Sequence, residues 1–408
     1  MRVLQLIGSL SPSTGGPAAA CLGLSKELAK RGHQVTIYTT NLGQAGSGPA
    51  KDLEAPLDGP IYDQGVELRF FPGIGKGHYA LSMRLLSALR ATITQFDVVH
   101  IHSMYIFHAT AGAFVCTRYR VPYVIKPHGT LDPFLRSKHR IRKWLHEMLV
   151  ERWSFRNAAA IQFTAVEEKE LAERSFAGRR LFSSSRGVII PNAVIIPEAV
   201  DAQDCQPDVE RLLATFPELR GKEIVLFLGR INFKKGLDIL AEAFGQIRRN
   251  RDKSHLLIAG PDNEGYGERV RGWLRAQGVL SSVTFAGMLL GGAKEAAFRI
   301  ADVFVLPSYT ENFGIAVVEA MARKVPVVVS NRVNIWHEIE GAAAGIVVEP
   351  QSDAVVRGVI RVLDDRKLRR QLGQNGFELV RREYTWQGVG DKTVALYEQA
   401  MLRDSANA

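Results

Sequence analysis

Glu223-Ile224-Val225-Leu226-Phe227-Leu228-Gly229-Arg230-Ile231-Asn232-Phe233-Lys234-Lys235-Gly236 decides the fold. The unbroken apolar run is a strand covered on both faces, and the periodic stretch that opens at Leu237 is a helix. A glycine-bounded basic turn joins them. The same unit recurs on either side. Upstream, strands are expected at Val3 to Ile7, Gln34 to Thr39, Val66 to Phe70, Val98 to His102, Tyr123 to Lys126 and Ala160 to Thr164. Downstream they are expected at His255 to Ala259, Val283 to Phe285, Val303 to Leu306, Val325 to Val329 and Gly345 to Val348. Helices fall between them. One runs from Pro17 to Lys30, with proline near its start and Gly32 just past its end. Helical segments around Arg366 to Arg382 and Trp386 to Met401 close the chain. This alternation predicts an α/β protein with parallel sheets.

A chain of 408 residues is too long for one ordinary core and suits two. Residues 1–196 form the first expected domain and 223–384 the second. Residues 197–222, polar and holding Pro207 and Pro217, connect them. Residues 385–408 are expected to cross back to the first domain as a helix. Two facing doubly wound domains bind ligand in the cleft between them, beyond the carboxyl ends of the strands. The Gly-rich stretch Gly43 to Gly59 reads as a surface loop. Met1 to Gly8 reads as a buried first strand and not as a signal peptide, and nowhere do roughly 20 apolar residues follow one another. Cys21, Cys116 and Cys205 suit neither a disulfide framework nor a zinc site, so a cytoplasmic location is expected. The formal net charge of +10 favours an anionic partner: nucleic acid, phosphorylated substrate or acidic membrane surface.

Loops that follow strands therefore hold the candidate chemistry. In the first, Arg230 and Lys235 stand where a helix begins. Fixed cations at that end of a helix stabilise a diphosphate on which negative charge develops. The alternative is a solvated basic turn. In the second, Pro307-Ser308-Tyr309-Thr310-Glu311-Asn312-Phe313-Gly314 leads into a helix that carries Glu319. Its first amides can receive oxygens, and carboxylates accept from paired sugar hydroxyls. The alternative is a plain cap with an exposed glutamate. Gly15-Gly16 lets backbone approach a ligand after the first strand, or is a simple strand-to-helix turn. His128 follows the strand Tyr123 to Lys126, as His102 ends the strand Val98 to Ile101. Asp132 in Asp132-Pro133 is an acceptor contact or an ordinary turn former.

Together these elements resemble the family-4 retaining glycosyltransferases of the GT-B fold. The likeness rests on Gly-Arg-x4-Lys-Gly (Gly229, Arg230, Lys235, Gly236) and Glu-x7-Glu (Glu311, Glu319). It extends to Gly15-Gly16, Pro127-His128-Gly129 and Pro191-Asn192. It implies that residues 1–196 bind the acceptor and residues 223–384 the nucleotide sugar. It further implies that Arg230 and Lys235 bind the donor diphosphate, Glu311 and His128 meet the transferred sugar, and Glu319 holds the ribose. Amides at Asn312, Phe313 and Gly314 support sugar and phosphates. Gly16 lies near the donor, and Gly15 and Asp132 near the acceptor. One departure stands out: Arg323-Lys324 occupies the place where the family usually ends its small residues in glycine.

Lys138 to Leu149 has helical apolar spacing at Ile141, Trp144, Leu145, Met148 and Leu149, with Lys138, Arg142 and Lys143 on the other positions. It is a candidate contact to anionic lipid, or a core-facing helix with a basic side. No Asp-x-Asp occurs, so activity without a metal or cofactor is expected, the fixed cations taking the metal's place. No pair of carboxylates flanking one anomeric carbon is evident, so retention is expected through front-face attack. Pro127 to Pro133 and Asn334 to Ile339 look like bacterial enzymes that build surface polysaccharide or lipopolysaccharide. Three other readings compete. Another GT-B enzyme, such as an epimerase or a phosphorylase, shares the fold. A dinucleotide oxidoreductase fails on Gly8-Ser9-Leu10, which is not Gly-x-Gly-x-x-Gly. For a silent nucleic-acid binder no RNA-binding motif appears, and no nucleic-acid partner is expected.

Overall fold

The computed structural model describes residues 1–11, 14–42, 56–57, 59–74, 81–136, 146–176, 186–197, 206–262 and 264–405. They form two compact units. The first takes the chain up to Ala193 together with the segment from Trp386 onward, and the second takes Val194–Thr385.

The first unit is built on β1 (Arg2–Ser9), β2 (Gln34–Thr40), β3 (Ile61–Asp63), β4 (Val66–Phe71), β5 (Val98–His102), β6 (Tyr123–Lys126), β7 (Ala160–Phe163) and β8 (Gly187–Ile189). They lie in the order β3-β4-β2-β1-β5-β6-β7-β8. Every neighbouring pair is parallel except β3 with β4. The direction of winding reverses between β1 and β5, so the loops leaving those strands diverge and open a crevice. One face of the sheet packs Leu4, Leu6, Ile101, Tyr123 and Phe163 against the helices Met83–Thr92, Phe107–Tyr119 and Arg152–Asn157. The other packs Val3, Ile37, Val98 and Val124 against the helices Gly16–Lys30 and Trp386–Ser405, the latter through Val389, Leu396 and Tyr397.

The second unit is a six-stranded, all-parallel sheet. Its strands are β9 (Glu223–Leu228), β10 (Ser254–Ala259), β11 (Val283–Gly287), β12 (Ala301–Leu306), β13 (Val327–Ser330) and β14 (Gly345–Val348), in the order β11-β10-β9-β12-β13-β14. The reversal falls between β9 and β12. Within this unit the stretch after Val194 also forms the helix Gln206–Thr215 and a tight turn at Pro217–Leu219. The expected strands stand within about two residues of their expected ends. The short edge strands β3 and β8 are additional. Among the described residues no helix is long and apolar enough to cross a membrane. Cys21 and Cys116 are buried free thiols, and Cys205 lies outside the described residues, as does most of Gly43 to Gly59.

Candidate functional site

In the second unit the loops after β9, β10 and β12 are bonded into one surface. The Gly229 amide donates to Ala259 O (2.9 Å), and the Ile231 amide donates to Pro261 O (2.9 Å). Beyond β9 the chain turns through Phe233–Lys235, where Asn232 Oδ1 accepts from the Lys234 amide at 3.1 Å. It then reverses at Gly236, in the left-handed region with φ 64°, to start the helix Leu237–Asn250. A Cβ on Gly236 would lie 2.1 Å from Pro307 O, so only glycine admits the loop after β12. That loop is fastened by the Tyr309 amide to Lys234 O (2.8 Å) and by Tyr309 Oη to Asp238 Oδ2 (2.8 Å). Two further bonds, Glu311 amide to Arg332 O and Asn334 amide to Glu311 O (both 2.9 Å), hold Glu311 against the loop after β13.

This scaffold brings Lys235 and Glu311 together as a hydrogen-bonded ion pair, the side chains only 15% and 17% exposed. Burial pushes the Glu311 carboxyl up. Lys235, followed by the charges of Arg230 and Lys234, outweighs burial and holds it below the usual carboxylate range. Glu311 is therefore an anion able to accept from hydroxyls. Arg230 is half-buried and has no hydrogen bond or ion pair among the described residues. Lys234 is depressed by burial and then by Arg230. Three cations thus surround Glu311, with the exposed Glu264 a weaker influence on Lys234, leaving positive charge that an anionic ligand would neutralise.

Phe313 is buried, its ring edge-on to Tyr384 at 5.4 Å, so only its backbone can meet a ligand. The Phe313 and Gly314 amides make no hydrogen bond among the described residues. Asn312 precedes them in the same loop. Gly314 turns with φ 76° into the helix Ile315–Met321. Glu319, on that helix, accepts from Lys294 Nζ at 2.6 Å. Lys294 carried no signal in the sequence, being brought in by the separate helix Gly291–Ile300. Lys324, where the resembled family has glycine, takes the left-handed conformation that glycine favours, with φ 58°.

The remaining candidates lie in the first unit. Gly15, φ 79°, caps the helix that starts at Gly16. His128 (φ 54°) and Gly129 (φ 75°) form a strained reversal after β6. The Glu168 carboxylate pins it by accepting from the Gly129 amide (2.7 Å) and the Thr164 amide (2.6 Å). His128 is half-buried, its Nε2 2.9 Å from His102 Nδ1. Burial, then the Lys126 charge, holds its pKa well below the usual histidine value, so the ring is neutral at neutral pH. Asp132 caps the short helix Pro133–Arg136, accepting from the Phe134 amide at 2.8 Å. Lys138, Arg142 and Lys143 lie outside the described residues. Among the described residues no group of three His, Cys, Asp or Glu could hold a metal ion.

Comparison with known proteins divides the chain in the same two parts. Residues 15–193 match a glycosyl transferase 4-like domain, and residues 209–379 match the glycosyl transferases group 1 family. An uncharacterized glycosyltransferase of Methanocaldococcus jannaschii is 36% identical over 98% of this chain and 99% of its own length. The phosphatidyl-myo-inositol mannosyltransferase of Mycobacterium leprae is 28% identical over 96% of each chain. Among solved structures, Anabaena HepE in complex with UDP-glucose superposes with a TM-score of 0.75 at 16% identity, covering 97% of this chain and 98% of that one.

Proposed function

Since the chain belongs to the group 1 glycosyl transferases, with a family-4-like first domain, we propose that it is a retaining, metal-independent hexosyltransferase. In this reading a nucleotide-diphosphate sugar gives its hexose to a glycan or lipid-linked saccharide during surface-polysaccharide or lipopolysaccharide synthesis. The observation that carries it is the excess of cations, Arg230, Lys234 and Lys235, gathered around Glu311 at the reversal between β9 and β12.

Arg230 and Lys235 would bind the diphosphate and stabilise it as the glycosidic bond breaks, the task that a divalent ion performs elsewhere. Ionised Glu311 would accept from hydroxyls of the transferred sugar, and Glu319 from the ribose. The free amides of Phe313 and Gly314, with Asn312, would add donors. In the first unit, His128 is assigned to the sugar, Gly16 to the donor, and Gly15 and Asp132 to the acceptor. The mannosyltransferase relative that acts on phosphatidyl-myo-inositol supports a lipid-borne acceptor. Exposed Phe114 and Trp153, rings 6.2 Å apart, each lie about one helical turn from an exposed arginine, Arg118 and Arg156. Such a surface suits the inner face of an anionic membrane. Failure to sediment with anionic liposomes at low salt would remove that element.

The test is a thermal-shift screen with UDP, GDP, ADP and their hexose conjugates. We expect stabilisation by one nucleotide, abolished in Arg230→Ala and Glu319→Ala, and turnover that survives EDTA. Stabilisation that persists in both variants would overturn the site, and loss of turnover in EDTA would overturn metal independence.

A further inference from the structure

A buried chain of hydrogen bonds runs from His128 to the C-terminal helix Trp386–Ser405. His128 Nε2 is 2.9 Å from His102 Nδ1, and His102 Nε2 is 2.7 Å from Gln5 Oε1. Gln5 Nε2 is 3.1 Å from Tyr397 Oη, which is 2.7 Å from His100 Nδ1. Sheet register builds it. Gln5 stands beside His100 across β1 and β5, and His102 beside Lys126 across β5 and β6. His100 and His102, two residues apart, share the face that the C-terminal helix covers. Gln5, His100, His102 and Tyr397 are all fully buried. The His102 ring stacks between those of His100 (4.5 Å) and His128 (5.2 Å).

A cationic imidazole here would be desolvated beside the buried Lys126 ammonium, so each ring is neutral, with one donor and one acceptor. Gln5 Oε1 only accepts. His102 Nε2 therefore carries its proton, and His102 Nδ1 accepts. His128 Nε2 must then donate, which leaves His128 Nδ1 as a lone pair. At the far end the Gln5 amide donates to Tyr397 Oη, and the Tyr397 hydroxyl donates to His100. All four bonds point one way. The Gln5 amide, with Oε1 toward His102 and Nε2 toward Tyr397, sets that direction and leaves the buried His100 Nε2–H without a hydrogen-bond partner among the described residues; rotated by half a turn it would reverse all four bonds and turn His128 Nδ1 into a donor. His128 Nδ1 makes no hydrogen bond among the described residues.

We propose that Gln5, His102 and Tyr397 are positioning residues that fix His128 in its Nε2–H tautomer, so that His128 meets its ligand as an acceptor and selects a donating hydroxyl over a carboxylate. That the ligand is the transferred sugar rests on the proposed function; the tautomer does not.

The experiment uses the full chain labelled with 15N-histidine, the His128 signals being identified by their loss in His128→Asn. Wild type is expected to give a pyridine-type Nδ1 and a pyrrole-type Nε2. In Tyr397→Phe and in Gln5→Met, which cut the chain from different elements, both signals should move toward the averaged values of exchanging tautomers. Release of UDP, GDP or ADP from UDP-glucose, GDP-mannose and ADP-glucose should fall roughly 10-fold in the same variants. A pyrrole-type or averaged Nδ1 in the wild type overturns the proposal. So does an unchanged His128 signature in Tyr397→Phe, whose phenyl ring keeps the packing. Full turnover in His128→Asn alongside the expected wild-type tautomer would instead remove the sugar contact from the proposed function and leave the positioning chain standing.

Discussion

At Gly236 a backbone requirement and a charge requirement meet in one residue. Its φ of 64° and the 2.1 Å that a Cβ would leave to Pro307 O exclude any side chain. The close approach lets Lys235, one residue earlier, reach Glu311. Gly236→Ala should destabilise the second unit by about 2–4 kcal/mol, from the left-handed strain and the shift of the loop after β12. It should also weaken nucleotide stabilisation more than that loss of stability explains, because Lys235 and Glu311 separate. An unchanged melting temperature would contradict the geometry. Arg230, Lys235 and Glu311 were legible as candidates because each follows a strand whose apolar run is plain. Lys294, Gln5 and Tyr397 were not. Lys294 meets Glu319 from 25 residues away and Tyr397 meets Gln5 from 392 residues away, and neither pairing has local periodicity to announce it.

At the level of the element, β5 is a strand whose C-terminal half is written in histidine. His100 and His102 lie on it, His108 follows on the next helix and His128 meets it from the reversal after β6. Burial dominates the lowering of all four, with His108 pushed down to about 4. An unfolded histidine titrates near 6.5. Between those values the unfolded chain holds more protons than the folded one, so stability falls as pH falls. Each histidine adds about 1.4 kcal/mol per pH unit inside its window and nothing above pH 6.5. Glu168, raised by burial, acts in the opposite sense nearer pH 4.5. The urea midpoint of the first unit should therefore drop between pH 7 and pH 5.5. It can be followed by indole fluorescence once Trp273 and Trp336 are replaced by Phe. A flat midpoint would mean that the rings are already charged in the fold. The strands themselves were readable because central parallel strands are apolar throughout. Ile61–Asp63 and Gly187–Ile189 were not, since three residues at a sheet edge carry no run long enough to distinguish from a loop.

Over the whole molecule, the chain folds its second unit from one continuous stretch and its first from two. Val194–Thr385 needs nothing beyond itself, whereas the first sheet is covered on one face by residues that begin at Trp386. That helix is not an ornament. A Cβ on Gly23 would lie 2.2 Å from the Trp386 ring, and Arg31 donates to Gln387 O at 2.6 Å and pairs with Asp391 at 2.5 Å. Val389, Leu396, Tyr397 and Ala400 complete the core. Closing so long a loop is slow, so the second unit is expected to fold first. Ending the chain after Thr385 should leave one cooperative calorimetric transition, that of the second unit, still raised by the nucleotide that binds the full-length protein. The other transition should vanish, because an exposed sheet face together with a severed Gln5–His100 network removes more than a marginal domain can spare. Two transitions in the truncated chain would show instead that the first sheet holds its own core, and that the returning helix serves only to cover it.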